Sequence, residues 1–134
     1  MIIEIIPCLS DNYSYLIYEK KSNTVSIVDP AEFEACDKVI NKYKKLDFIL
    51  NTHHHADHVG ANLELKKKYN SKILGSNSDK DRIPGIDMLL KENQKQKIGN
   101  LEFEVIFIPG HTKGHILFSL EKKKLPLPGI HYFH

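Results

Sequence analysis

Thr52-His53-His54-His55-Ala56-Asp57-His58 packs four histidines and an aspartate into one short stretch, directly after the apolar run Phe48-Ile49-Leu50. The run before it has the character of a buried strand. The residues after it, Val59, Leu63, Leu65 and Tyr69, carry helix-like apolar spacing, so the cluster falls between a strand and a helix. In an extended segment, side chains two residues apart share a side. His53 and His55 can therefore face one metal ion while His54 points elsewhere. Asp57 and His58 lie further round the turn, where a carboxylate oxygen and an imidazole nitrogen suit a second ion, and zinc, manganese or iron fits that mixture. The competing reading is a solvated polar loop with Asp57 as a helix N-cap, but capping accounts for one acidic residue and for none of the histidines.

A second segment complements the first. Leu101 to Ile108 alternates Phe103, Val105 and Phe107 with other side chains, as a half-buried strand does, and leads into Pro109-Gly110-His111-Thr112-Lys113-Gly114-His115. Pro109 ends the strand, and Gly110 and Gly114 permit backbone conformations that a side chain would block, so this loop can carry His111 to the loop at His53 as a third nitrogen ligand. His115 opens the next apolar run, Ile116-Leu117-Phe118, and is read as a core residue or as one that backs a ligand.

The two motifs together, T-H-x-H-x-D-H and P-G-H-T-x-G-H, resemble those of the metallo-β-lactamase superfamily. Pro7 to Tyr13, Val28-Asp29-Pro30-Ala31, His58 to Asn62 and Ile108 to Thr112 narrow the resemblance to the glyoxalase II family of hydroxyacylglutathione hydrolases. It covers residues 1 to about 121. The fold it implies is α+β, the N-terminal half of an αββα sandwich with a mixed β-sheet and flanking helices. The ligand set it implies is His53, His55 and His111 on one metal, with Asp57 and His58 at a second. Asp57 becomes the candidate catalytic residue, as metal ligand and proton acceptor. The implied reaction is hydrolysis of a glutathione thioester such as S-lactoylglutathione to D-lactate and glutathione, with zinc as the expected ion and iron or manganese as alternatives. Two other readings stay open: an inactive metal-binding fragment, and a mononuclear-iron persulfide dioxygenase of the same superfamily.

The family pattern continues into a G-D-T-L-F-like motif that residues 122–134 do not contain. Those residues are read as an atypical tail after a partial domain spanning 1–121. The tail follows Lys122-Lys123-Lys124, and its codons read one frame over, with wobble bases chosen to fit, yield Thr-Ala-Phe-Thr-Gly-Asp-Thr-Leu-Phe-Ser. A frame shift at the lysine run is one expectation. A native short terminus or an exon end is the other. A partial sandwich is further expected to expose an apolar sheet face or edge and to self-associate through it.

At 134 residues, with 41% hydrophobic and 27% charged residues, the chain is long enough to bury one core. A net charge of +2, with no aromatic residues interleaved among the lysines of Lys66-Lys67-Lys68, argues against a nucleic-acid partner. Cys8 and Cys36 lack metal-ligand spacing and are read as free thiols of a reducing, cytoplasmic compartment. No segment is long and apolar enough for a membrane span, and Met1 to Ile6, with Glu4, is too short for a secretory signal.

Strands are expected at Ile2–Ile6, Tyr13–Tyr18, Thr24–Val28, Phe48–Leu50, Lys72–Leu74, Leu101–Ile108 and His115–Leu120, with turns at Lys20–Asn23 and Gly99-Asn100. Helices are expected at Glu34–Tyr43 and Val59–Tyr69, a loop at Ser76–Gly85, and a short helix at Asp87–Lys91. Asp29 reads equally as a turn residue or as a buried residue backing the histidine loop.

Overall fold

The computed structural model describes residues 1–9, 12–108, 115–119 and 132–133, with the backbone alone at 56, 57, 132 and 133. Strands β1 (Ile2–Cys8), β2 (Asn12–Glu19) and β3 (Thr24–Val28) form an antiparallel meander. Strands β4 (Phe48–Leu50), β5 (Lys72–Ser76) and β6 (Met88–Leu90) extend it in parallel, giving one mixed sheet in the order β1-β2-β3-β4-β5-β6. A second, antiparallel sheet has β7 (Lys95–Ile98), β8 (Leu101–Phe107), β9 (Ile116–Ser119) and β10 (Tyr132–Phe133) in the order β10-β9-β8-β7. Helices α1 (Phe33–Ile40), α2 (Ala56–Val59) and α3 (Asn62–Tyr69) complete the described elements.

The period-2 alternation of the strands divides the core into two slabs. Leu16, Val25, Ile27, Ile49 and Ile73 point from the first sheet toward the helices, where Cys36, Ile40 and Leu65 cover them. Ile17, Val28, Leu50 and Leu74 point the other way and meet Leu101, Phe103, Val105, Ile116 and Phe118 of the second sheet. The described layers are therefore helix, sheet, sheet, in keeping with the expected α+β sandwich. Phe103 and Phe118 meet edge to face, ring centroids 6.2 Å apart, at the centre of the inter-sheet slab. Phe103→Ala should cost about 3–5 kcal/mol of stability, since no neighbouring side chain can fill the space of a buried ring. A urea midpoint close to that of the parent chain would contradict this packing.

Several expectations need correction. Asp87–Lys91 is no helix. Asp87 exchanges backbone and side-chain bonds with Ile73, its N–H to Ile73 O at 2.8 Å and its Oδ2 accepting Ile73 N–H at 2.8 Å, which pins Met88–Leu90 alongside β5. The single helix expected at Val59–Tyr69 is two. The chain breaks at Gly60-Ala61, where Ala61 N–H donates to Pro30 O at 3.0 Å, and starts again at Asn62. The helix expected to reach Tyr43 stops at Ile40, because Lys42 and Tyr43 turn back to Val39 O and Ile40 O and Lys44 adopts φ +61°. Strand β7 was not foreseen. It pairs with β8 across the expected Gly99-Asn100 turn, where Gly99 has φ +62° and a side chain would run into Ser22 and Thr24.

The face of β7 and β8 turned away from the core sets Lys95 against Glu104 and Lys97 against Glu102, so it is charged rather than apolar. The exposed large hydrophobics include Ile2 and Ile5 on the edge strand β1, 47% and 62% exposed, and Leu89 on the opposite edge strand β6. No helix among the described residues is long and apolar enough to cross a membrane.

Candidate metal centre

The carboxyl ends of the parallel strands β3, β4 and β5 deliver Asp29, then Asn51 to His55, then Ser76 to Asp79, to one edge of the sheet, the edge where open α/β sheets place their sites. Asp29 is buried and sits at φ +51°, a left-handed conformation that aspartate tolerates better than most residues. Its carboxylate takes three donors. Thr52 N–H reaches Oδ1 at 2.8 Å, the Thr52 hydroxyl reaches Oδ2 at 2.5 Å, and His58 Nδ1 lies 2.9 Å from Oδ2. Burial pushes the Asp29 carboxyl above its ordinary range, against the pull of His58 and of the two Thr52 donors. A carboxylate facing Nδ1 favours the His58 tautomer that carries its proton there and leaves Nε2 as the acceptor of the ring.

The imidazoles gather around His53. The His53 ring, buried, stands 4.8 Å from His55, 3.8 Å from His58 and 4.6 Å from His115, centroid to centroid. The His54 ring stands 5.0 Å from His55, and its Nδ1 lies 3.2 Å from Asp79 Oδ1. Helix α2 begins at Ala56 with His55 as its N-cap residue and no side-chain cap bond, so Asp57 is not the cap that the polar-loop reading required. The Asp57 side chain and the whole of His111 lie outside the described residues. Among the described residues, no three His, Cys, Asp or Glu groups form a ready coordination shell. The donor set nonetheless suits a divalent ion, since the His53 ring lies against those of His55 and His58 while a carboxylate faces His58 from behind.

Two asparagines hold the loop from below, and neither stood out as a site residue in the sequence. Asn51 Nδ2 donates to His58 O at 3.1 Å, and Asn62 Nδ2 donates to Asn51 Oδ1 at 2.7 Å. Both are fully buried, and the restart of the helix at Asn62 is what aims its amide at Asn51. Asp79 was also missed, because it lies in a polar run that reads as an ordinary loop.

A sandwich with a histidine-rich loop at the strand ends, backed by a buried aspartate, is the arrangement of one large class of metal-dependent proteins. The Metallo-beta-lactamase superfamily profile matches residues 11–129, and the chain belongs to that superfamily, whose members bind divalent metal. Within it, the chain is 49% identical over 119 residues to the hydroxyacylglutathione hydrolase of Pelagibacter ubique, covering 88% of this chain and 50% of that one. It is 43% identical over 120 residues to the enzyme of that name from Methylococcus capsulatus, covering 87% and 46%. The chain thus spans about half the length of the curated relatives it matches. Among solved structures, ETHE1 from Myxococcus xanthus superposes with a TM-score of 0.77 at 25% identity, covering 90% of this chain and 54% of that one. The B3 metallo-beta-lactamase BLEG-1 gives 0.72 at 22% identity, covering 90% and 68%, a likeness of fold alone. The resemblance read from the two motifs is borne out at the level of superfamily and fold.

Proposed function

We propose that this chain carries the metal-binding core of a hydrolase acting on glutathione thioesters of the S-lactoylglutathione type. The observation that carries the reading is the packing of the His53 ring against those of His55 and His58, with Asp29 behind His58. The names of the relatives at 43–49% identity support the substrate class. In this reading His53, His55 and His111 hold one ion, and Asp57 and His58 belong to a second. Zinc is the ion such donors favour, with iron or manganese as alternatives.

A bound divalent ion supplies an acidified water and a positive charge beside the developing oxyanion. The chain's own residues do the rest. His53 and His55, their rings 4.8 Å apart, present nitrogens from one loop. Asp29 fixes the ring plane and tautomer of His58, and Thr52 fixes Asp29 in turn. Asp57 is the residue proposed to accept a proton. The leaving group asks for little acid assistance, because a thiol of pKa about 8.5 departs readily as thiolate. Cys8 and Cys36, free thiols with sulfurs 3.7 Å apart, support a reducing, cytoplasmic setting as part of the same proposal.

The test is thiol release from S-lactoylglutathione by the purified chain, before and after chelation and after zinc is restored. The expected result is hydrolysis that vanishes with chelator and returns with zinc. Zinc binding without thiol release would contradict the assignment, and oxygen consumption by an iron-loaded chain given a persulfide would move it to the dioxygenase reading.

A further inference from the structure

The His54 ring stands 5.0 Å from that of His55, and its Nδ1 faces a buried carboxylate, Asp79. Asp79 is 0% exposed, yet neither of its carboxylate oxygens accepts a hydrogen bond of regular geometry among the described residues. Nearest to it are His54 Nδ1 at 3.2 Å, which likewise makes no hydrogen bond of regular geometry among the described residues, and Arg82 Nη2 at 3.0 Å, both at Oδ1. A carboxylate buried with so few bonds is costly, and an amide or apolar side chain would fill the position at less expense.

The platform under Asp79 is rigid. The short 3₁₀ turn Asn77–Asp79 is capped by Ser76 Oγ, which accepts Ser78 N–H at 3.1 Å. Asp79 O accepts Arg82 N–H at 2.9 Å and Ile83 N–H at 3.1 Å, and Ile83 is buried in the slab beneath the helices. Arg82 Nη2 also donates to Ser78 O at 3.0 Å. Asp79 is therefore tied to β5, the strand next to the one that delivers the histidine loop.

The loop, for its part, is bonded at both ends. Ile116 N–H donates to Thr52 O at 2.8 Å, and His58 N–H donates to His55 O at 2.8 Å. Between those points lies the irregular segment His53–His55, and the His54 side chain reaches from its middle to Asp79. His54 lies between His53 and His55 and its ring touches that of His55 at 5.0 Å, so holding His54 against Asp79 constrains the backbone and the ring on either side of it.

We propose that Asp79 is a positioning residue for the metal centre, acting through His54 to set the directions in which His53 and His55 present their nitrogens. This rests on the reading of His53 and His55 as ligands. Residues that orient a ligand from behind typically change metal affinity by about 10–100-fold when replaced.

The experiment is a cobalt(II) titration of the full chain and of Asp79→Asn, His54→Gln and the double variant, followed by visible absorption, with far-UV circular dichroism and thermal midpoints alongside. The expected result is an affinity about tenfold or more below that of the parent for each single variant, with a changed cobalt spectrum. The double variant should be no weaker than the weaker single, because both changes break one link. Should Asp79→Asn fail to fold, His54→Gln decides alone, since His54 is partly exposed and its loss leaves Arg82 on Asp79. A His54→Gln chain that binds cobalt within twofold of the parent, with an unaltered spectrum, overturns the inference, as do losses that simply multiply in the double variant. A parent chain that takes up no cobalt overturns the ligand assignment and this inference with it. Cobalt binding by parent and variants alike overturns the inference alone.

Discussion

Replacing His53 and His55 together by alanine should abolish stoichiometric metal binding while leaving the fold in place. The two rings lie 4.8 Å apart, close enough for one nitrogen of each to reach a single ion. Full coordination by four protein ligands is worth about 10–16 kcal/mol in small zinc domains, so two ligands carry roughly half of that, and their loss weakens binding by about 10⁴-fold or more. The scaffold does not depend on them, because the two core slabs are built from strand and helix residues elsewhere. Metal analysis after dialysis, beside circular dichroism, reads both halves of the prediction. A double variant that folds and keeps the metal content of the parent would mean that the ion sits somewhere else.

The second large effect is expected at Asp29, and two substitutions separate its roles. Asp29→Ala removes the acceptor for Thr52 N–H, the Thr52 hydroxyl and His58 Nδ1 at once, leaving buried donors without their partner. It also places alanine at φ +51°, a conformation that costs an ordinary L-residue about 1–2 kcal/mol. The expected loss of stability is about 3–5 kcal/mol, read from urea unfolding. Asp29→Asn keeps the shape and tolerates the left-handed backbone, but its amide nitrogen cannot accept. One of the three donors must go unanswered, and His58 is the one with freedom to turn. Asparagine should therefore cost about 1–3 kcal/mol in stability but about 10–100-fold in metal affinity. Equal stability and equal metal affinity in Asp29→Asn would show that the carboxylate does not orient His58.

The histidine loop was legible because its information is local. A strand and a turn lie within a few residues of each other, and the structure sets the His53 ring against His55 and His58, while His54, which also touches His55, has its Nδ1 facing Asp79. Asp29 was legible only as one of two possibilities, since nothing in Val28-Asp29-Pro30 says whether the side chain faces a turn or a core. What the sequence concealed depends on partners distant along the chain. Met88–Leu90 is a strand only because β5 offers it a parallel edge at Leu74–Ser76, and a run of five residues around it carries no period long enough to tell strand from helix. The break at Gly60-Ala61 follows from the need to aim Asn62 at Asn51 and to bond Pro30, which no helical pattern announces. Asp79 stood in a polar run whose composition says loop, and its burial comes from the neighbouring strand ends. His111 and the side chain of Asp57 lie outside the described residues, so their roles rest on the motifs and on the proposal.

The most direct measurement is zinc K-edge X-ray absorption on the zinc-loaded chain. An ion held by the histidine loop predicts an inner shell of nitrogen and oxygen alone at about 2.0–2.1 Å, with the outer-shell scattering characteristic of two or more imidazoles, and its loss in the His53→Ala/His55→Ala chain. A sulfur shell at about 2.3 Å, which only Cys8 and Cys36 among the thiolate donors can supply, or an oxygen shell without imidazole scattering, would contradict the account.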